Sequence, residues 1–227
     1  MNDLKIRCSA IGKIMPGKRK AWLKSTDDYL AQLFIETKYG REKEIESKYL
    51  KKGTQVEEDS MTLYSRFEKK IFVKNEEQLQ NDFLTGTPDI VHKGVVHDIK
   101  SSWDIFTFFA NQAQEMKSDY YWQLMGYMAL TGAEKARLAY CLVNTPFGLI
   151  EQEKRSLMYK TGLDEDDPIH REACREIERL CVYDDIPVNE RVIVQELDRD
   201  EAAIESIYAR VDECRAYMKK HFGAIAA

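Results

Sequence analysis

Residues 84–102 read LTGTPDIVHKGVVHDIKSS, and this stretch decides the fold. Two β-rich runs, Asp89–His92 and Val95–Lys100, flank Lys93-Gly94. Apolar, β-branched runs joined by a short Gly-containing turn predict a β-hairpin. With Lys93-Gly94 as the turn, His92 faces Val95, Val91 faces Val96, and Asp89 falls opposite Asp98. Facing side chains in such a pair lie roughly 5 Å apart, where like charges repel. Strand alternation puts Lys100 on the face of Asp98 and Ile99 on the other. Two carboxylates and a lysine on one face suggest a site for a divalent metal. Magnesium typically takes one or two carboxylates and completes its shell with water and phosphate.

Outward from the hairpin, the pattern alternates helices with strands. Ser9 is placed to cap a short helix over 10–15 that ends at Pro16-Gly17. A second helix follows Thr26-Asp27-Asp28 and stops at Gly40. Residues 42–67 are helical in composition, with Gly53 expected to divide them. The second piece aligns Val56, Ser60, Leu63 and Phe67 on one stripe. A strand is expected at 70–73, helices at 104–115 and 118–131, and a strand at 135–143. Helices at about 148–160 and 169–183, a strand at 188–197 and a helix at 199–221 complete the chain. In the last helix Ile204, Ile207, Tyr208, Val211 and Tyr217 form an apolar stripe, whose default role is core packing. The expected fold is α/β or α+β, a mixed central β-sheet flanked by helices, in a single domain over 1–227.

The 227 residues are 44% hydrophobic and 32% charged, as in soluble globular proteins. No apolar run reaches the roughly 18 residues of a membrane span. The first residues lack the long apolar segment of a secretory signal, and the five cysteines are scattered without a CxxC. Reduced thiols and a cytoplasmic location are therefore expected. The net charge of −5 is unevenly spread. Residues 1–24 carry Lys5, Arg7, Lys13, Lys18, Arg19, Lys20 and Lys24 against Asp3 alone, whereas the C-terminal third is acidic. Such asymmetry allows a basic binding surface on an acidic protein. No P-loop is present, so no ATP-driven activity is expected, and the four histidines have no zinc-type spacing.

Glu57, four residues beyond Gly53 on the helix before the sheet, is the natural third acid beside Asp89 and Asp98; Glu58 competes with it. A divalent ion acidifies its bound water and stabilises developing charge on a phosphate. Lys100 suits the orientation of that water, and the Ile99 carbonyl is a further candidate ligand. Downstream, Gln123 and Tyr127 are four residues apart on a helix and share a face.

Pro88-Asp89 with Asp98-Ile99-Lys100 resembles the defining motif of the PD-(D/E)XK nuclease superfamily. The Gln123-x-x-x-Tyr127 pair resembles the mark of its RecB-like branch. Gly53-x-x-x-Glu57 ahead of both completes an order similar to the phage lambda-exonuclease and YqaJ recombinase group, over about residues 6–144. The C-terminal residues, about 145–227, match nothing specific and are expected to be an extension. The resemblance implies a restriction-endonuclease-like core, two divalent metals (Mg²⁺, with Mn²⁺ able to substitute) and 5′→3′ digestion of one strand of linear duplex DNA. It also implies a single-strand annealing partner, a ring-shaped trimer, and a phage- or prophage-encoded protein in a bacterial cytoplasm. By the same resemblance Arg7 and Ser9 hold the terminal 5′ phosphate. Lys13, Lys18, Arg19 and Lys20 then line the DNA track through phosphate contacts. Trp22 and Trp103 are candidates to wedge against a base, with core packing their more ordinary role. Cys174, Cys181 and Cys214 are too dispersed for the iron–sulfur cluster of some relatives. An endonuclease on the same core and a non-catalytic DNA-binding protein are the competing readings.

Overall fold

The computed structural model describes residues 4–16, 22–43 and 48–226. In chain order its elements begin with β1 (Ile6–Arg7), a 3₁₀ turn (Cys8–Ala10) and α1 (Ile11–Ile14). Then come α2 (Lys24–Tyr39), α3 (Lys48–Gln55) and α4 (Glu57–Glu68). The strands β2 (Leu79–Gln80), β3 (Leu84–Gly86), β4 (Ile90–His92) and β5 (Val95–Ser101) follow. Next are α5 (Ile105–Gln112), α6 (Ser118–Thr131) and β6 (Lys135–Cys141). The chain closes with α7 (Phe147–Thr161), α8 (Pro168–Cys181), β7 (Val192–Asp198) and α9 (Glu201–Ala226). Among the described residues no helix is long and apolar enough to cross a membrane.

The hairpin has the register read from its alternation: Ile90 pairs with His97, Val91 with Val96 and His92 with Val95. Lys93 (φ 48°) and Gly94 (φ 77°) both take positive φ. That is the turn whose twist matches the flanking strands, and glycine adopts it without steric cost.

Strand β5 then pairs in parallel with β6, and β6 pairs antiparallel with β7, giving a mixed four-stranded sheet β4-β5-β6-β7. A parallel pair needs a crossover, and α5 and α6 supply it. This four-stranded sheet is the mixed, helix-flanked one that was expected, and a second, smaller sheet stands beside it. The second is β1-β3-β2, with β1 parallel to β3 and β2 antiparallel to it. Gly86 ends β3, and the chain crosses Pro88-Asp89 to enter the other sheet.

Both faces of the larger sheet are covered, so its inner strands are buried on alternate sides. Val96, Ala136, Leu138 and Tyr140 join the core built on α1, α6 and α9, with Leu124, Met128, Ile204, Ile207 and Val211. Ala139, Cys141 and Val192 join a second core under α4, with Val56, Leu63 and Tyr64. Each large side chain so buried contributes roughly 1.5–3 kcal/mol. Helix α6 lies close to the N-terminal turn because Gly126 faces it: a Cβ there would stand 2.5 Å from Ile11 Cδ1 and 2.9 Å from Cys8 Sγ. The C-terminal helix is tied back to the start, where Arg215 Nη2 donates to the Leu4 carbonyl at 2.9 Å.

Three local expectations are corrected. Residues 70–73 form no strand; Phe72 is buried against Tyr64, while Ile71 and Val73 face solvent, so the alternation there reflects one anchored ring in an irregular segment. Helices α3 and α4 part at Val56, not at Gly53, which lies inside α3. Ser9 caps no helix: it sits within the 3₁₀ turn, Ala10 precedes α1, and neither start carries a side-chain cap.

Candidate active site

Strand β5 presents its two faces to different helices. Asp98 and Lys100 point to α6, whereas His97 and Ile99 point to α4. Asp98 is 2% exposed and has Lys100 Nζ 2.7 Å from its Oδ2. Its other oxygen, Oδ1, accepts from Gln123 Nε2 at 3.1 Å, and the same Nε2 lies 3.0 Å from the Tyr127 hydroxyl. Gln123 thus aims Asp98, and Tyr127 backs Gln123. Tyr120, one turn before Gln123, places its ring 5.4 Å from Lys100 Nζ.

Asp89 stands just past the end of the β4–β5 ladder. Its Oδ2 accepts the Ile99 N–H at 2.6 Å, which carries its carboxylate to the segment between Asp98 and Lys100. The proximity expected from register is therefore reached through a side-chain bond to the partner strand. Burial, then Asp98, push the Asp89 carboxyl up to about 6, against the Ile99 amide and Lys100. Burial also raises Asp98, against the pull of Lys100. For Lys100 burial acts downward, but Asp98 and Asp89 outweigh it and the ammonium is held above its ordinary range. The result is a protonated lysine against two carboxylates that resist joint ionisation.

Glu57 opens α4 and is near enough to Asp89 to raise it, yet its Oε1 is turned to Lys74 Nζ at 2.8 Å. Among the described residues no three His, Cys, Asp or Glu side chains are gathered as a ready-made metal cage. A magnesium-type ion does not need one. Two features fit a hard cation here. Asp98 Oδ2 is buried and makes no well-aligned hydrogen bond despite its charge contact with Lys100. Asp89 and Asp98 also raise each other's cost of ionisation, which a cation would offset. Asp89, Asp98, the Ile99 carbonyl and, after leaving Lys74, Glu57 are the oxygens that could hold it.

The remaining sequence candidates are dispersed around this centre. Arg7 pairs in register with Thr85, at the end of β3 from which the chain continues to Asp89. Its guanidinium is 60% exposed and 3.6 Å from Glu36. Ser9 is exposed, and Cys8 between them is buried next to Gly86 and Tyr127. Lys13 lies over the Tyr29 ring at 5.3 Å. Lys18, Arg19 and Lys20 lie outside the described residues. Trp22 stacks on Tyr217 at 5.0 Å and donates to Asp27 at 2.7 Å, so it is a packing residue. The Trp103 carbonyl accepts from Lys52 Nζ at 2.8 Å.

Lys74, Asn75 and Tyr120 escaped the sequence reading. Tyr120 carried a signal, since 120, 123 and 127 share one helical face. Lys74 and Asn75 carried none, because only long-range pairing brings residues 70–78 beside Asp89.

Comparison with known proteins bears on the fold. No protein-family model matches the chain, and no curated protein matches its sequence. Solved structures do match. A phage-related exonuclease from Haemophilus somnus 129PT superposes with a TM-score of 0.77 at 24% identity, over 98% of this chain and 97% of that one. The alkaline exonuclease LHK-Exo from Laribacter hongkongensis gives 0.68 at 15% identity, over 97% and 91%. LHK-Exo in complex with dAMP gives 0.63 at 16%, over 98% and 95%. The chain has the fold of these exonucleases. The likeness runs through the C-terminal residues as well as the motif-bearing part, so β7 and α9 belong to the shared fold.

Proposed function

We propose that the protein is a divalent-metal-dependent deoxyribonuclease that digests linear duplex DNA from an end, with 5′→3′ polarity, in phage or prophage recombination. The observation that carries this reading is the Asp89–Asp98–Lys100 cluster, with Asp98 buried and its neighbours partly so, short of positive charge, in an exonuclease-like fold. We read 1–227 as one nuclease unit. Asp89, Asp98, Glu57 and the Ile99 carbonyl would hold Mg²⁺, or Mn²⁺ in its place. Such an ion supplies charge stabilisation at the phosphate and a more acidic attacking water.

The chain's own residues do the rest. Gln123 fixes the Asp98 carboxylate by donating to Oδ1, and Tyr127 fixes Gln123. Lys100 stays protonated between the two aspartates and presents its ammonium to the phosphate or the attacking water. Arg7 and Ser9 are assigned to the terminal 5′ phosphate, and Lys13 with Lys18, Arg19 and Lys20 to sequence-independent backbone contacts. A single-strand annealing protein and a ring-shaped homo-oligomer remain the expected partners by family resemblance.

The test is digestion, with Mg²⁺ or Mn²⁺, of a linear duplex and a covalently closed circle of the same sequence. Each strand of the linear duplex is labelled in turn, with and without a 5′ phosphate. The linear form should be degraded from its 5′ ends and the circle left intact. Arg7→Ala should lose the preference for phosphorylated ends. Cutting of the circle would make the protein an endonuclease, and no cleavage of either form would remove the nuclease reading.

A further inference from the structure

Two of the three acids at the centre have a lysine of their own. Asp98 has Lys100. Glu57 has Lys74, whose ammonium also faces Asp89 and Glu76. Lys74 is not placed there by a helix or a strand, since residues 71–78 have no regular structure. It is placed by its neighbour. Asn75 donates its backbone N–H to the Asp89 carbonyl at 2.8 Å, and its side chain donates to the carbonyls of Pro88 at 3.1 Å and Glu77 at 3.0 Å. These bonds fix the backbone beside Pro88-Asp89. The Lys74 side chain remains 44% exposed on a long, flexible stem, and Glu57 is 42% exposed. An ion pair this open to water is held weakly and exchanges readily.

We propose that Lys74 is an exchangeable counter-ion. It neutralises Glu57 in the metal-free protein, gives up that carboxylate when a divalent ion arrives, and then contacts a nucleic-acid phosphate at the mouth of the site. The proposal rests on the nuclease reading above and adds a residue that the motif does not contain. Its chemistry follows from charge. A divalent ion brings two charges to the carboxylates where Lys74 brings one, and the displaced ammonium is then available to a phosphate beside the site. Glu57 is thereby kept from repelling Asp89 until the metal is present.

Two measurements on the full chain test it. The first is Mn²⁺ binding without DNA, followed by the electron paramagnetic resonance of the free ion. Lys74→Ala should bind Mn²⁺ about fivefold more tightly than the unaltered protein, because the competing cation is gone. Lys74→Arg, whose fork holds a carboxylate more firmly, should bind it more weakly. The second is the affinity for an end-labelled duplex with Ca²⁺ present, across a salt series. Lys74→Ala should bind less tightly, with the log–log salt slope shallower by about one.

If Lys74→Ala leaves Mn²⁺ affinity or the salt slope unchanged while Glu57→Gln weakens Mn²⁺ binding, the exchange is wrong and the metal site stands. If the unaltered protein binds no Mn²⁺, the exchange and the nuclease reading fall together.

Discussion

Strand β5 carries buried polar groups on both faces, and the two faces differ in how they are satisfied. On the α4 face His97 Nδ1 lies 2.8 Å from the Tyr64 hydroxyl, with Phe72 packed against both rings. Burial, with Arg137 beside it, pushes the His97 imidazolium down to about 4, so the pair is neutral above that pH. On the α6 face burial raises both Asp98 and Asp89, while Lys100 stays protonated against them. Polarity and depth alone therefore do not mark a site, since both faces have them. What separates the faces is unbalanced charge, which the His97 side lacks and the Asp98 side has left for a ligand to offset.

The largest effect that tests this contrast is on catalysis. Lys100→Ala or Asp98→Ala should lower the release of acid-soluble nucleotides from linear duplex by at least about a thousandfold. His97→Gln, one residue away on the opposite face, should keep activity within a few-fold at neutral pH. Equal losses from both faces would mean that β5 needs only its packing and that the charged cluster has no special role.

The hairpin from Ile90 to His97 was legible because register follows from alternation and a two-residue turn, while Asp89, expected in the strand, lies just outside it. Period-2 arithmetic then put Asp98 and Lys100 on one face and His97 on the other. The Gln123–Tyr127 pair was legible for the same kind of reason, a helical repeat within one element. The partners were not. Nothing local joins His97 to Tyr64, thirty-three residues away, or Glu57 to Lys74. The division into two sheets escaped for a related reason. β3 and β4 are separated by three residues, and the choice of partner, β1 or β5, is made by tertiary packing. Ile71 and Val73 imitated a strand because alternation around the one anchored ring of Phe72 has the same period.

The second way to sharpen the contrast is pH, in metal-free protein. Asp89 is raised from 3.8 to about 6, so the folded state holds its proton more tightly than the unfolded chain does. Its stabilisation is complete below pH 3.8 and is lost as pH rises through 6, by roughly 3 kcal/mol. Asp98 is shifted in the same direction. His97 is lowered from 6.5 to about 4, so its contribution runs the other way. Stability is present above pH 6.5 and is lost, also by roughly 3 kcal/mol, as pH falls through 4. Denaturant melts between pH 4 and 7 in chelator should separate the two. Asp89→Asn should become more stable relative to the unaltered protein as pH rises, and His97→Gln should become less so. Parallel curves would show that the two faces share one electrostatic environment.

The smallest effect lies in the Tyr64–His97 bond itself. Arg137 faces the Tyr64 hydroxyl, and a guanidinium can only donate. With a donor-only group on that side, the phenolic proton is expected to point at His97 Nδ1. That proton can be donated only to a neutral ring, so the bond favours the unprotonated imidazole and adds to the effect of burial. Tyr64→Phe should cost about 1 kcal/mol at pH 7. It should also raise the His97 pKa, read from the imidazole carbon-bound protons by NMR, and flatten the loss of stability on the acid side. If the His97 proton points at Tyr64 instead, the same substitution removes an acceptor and lowers that pKa further. The sign of the shift thus reads the tautomer directly, and an upward shift is the one expected for a face whose charges are already resolved.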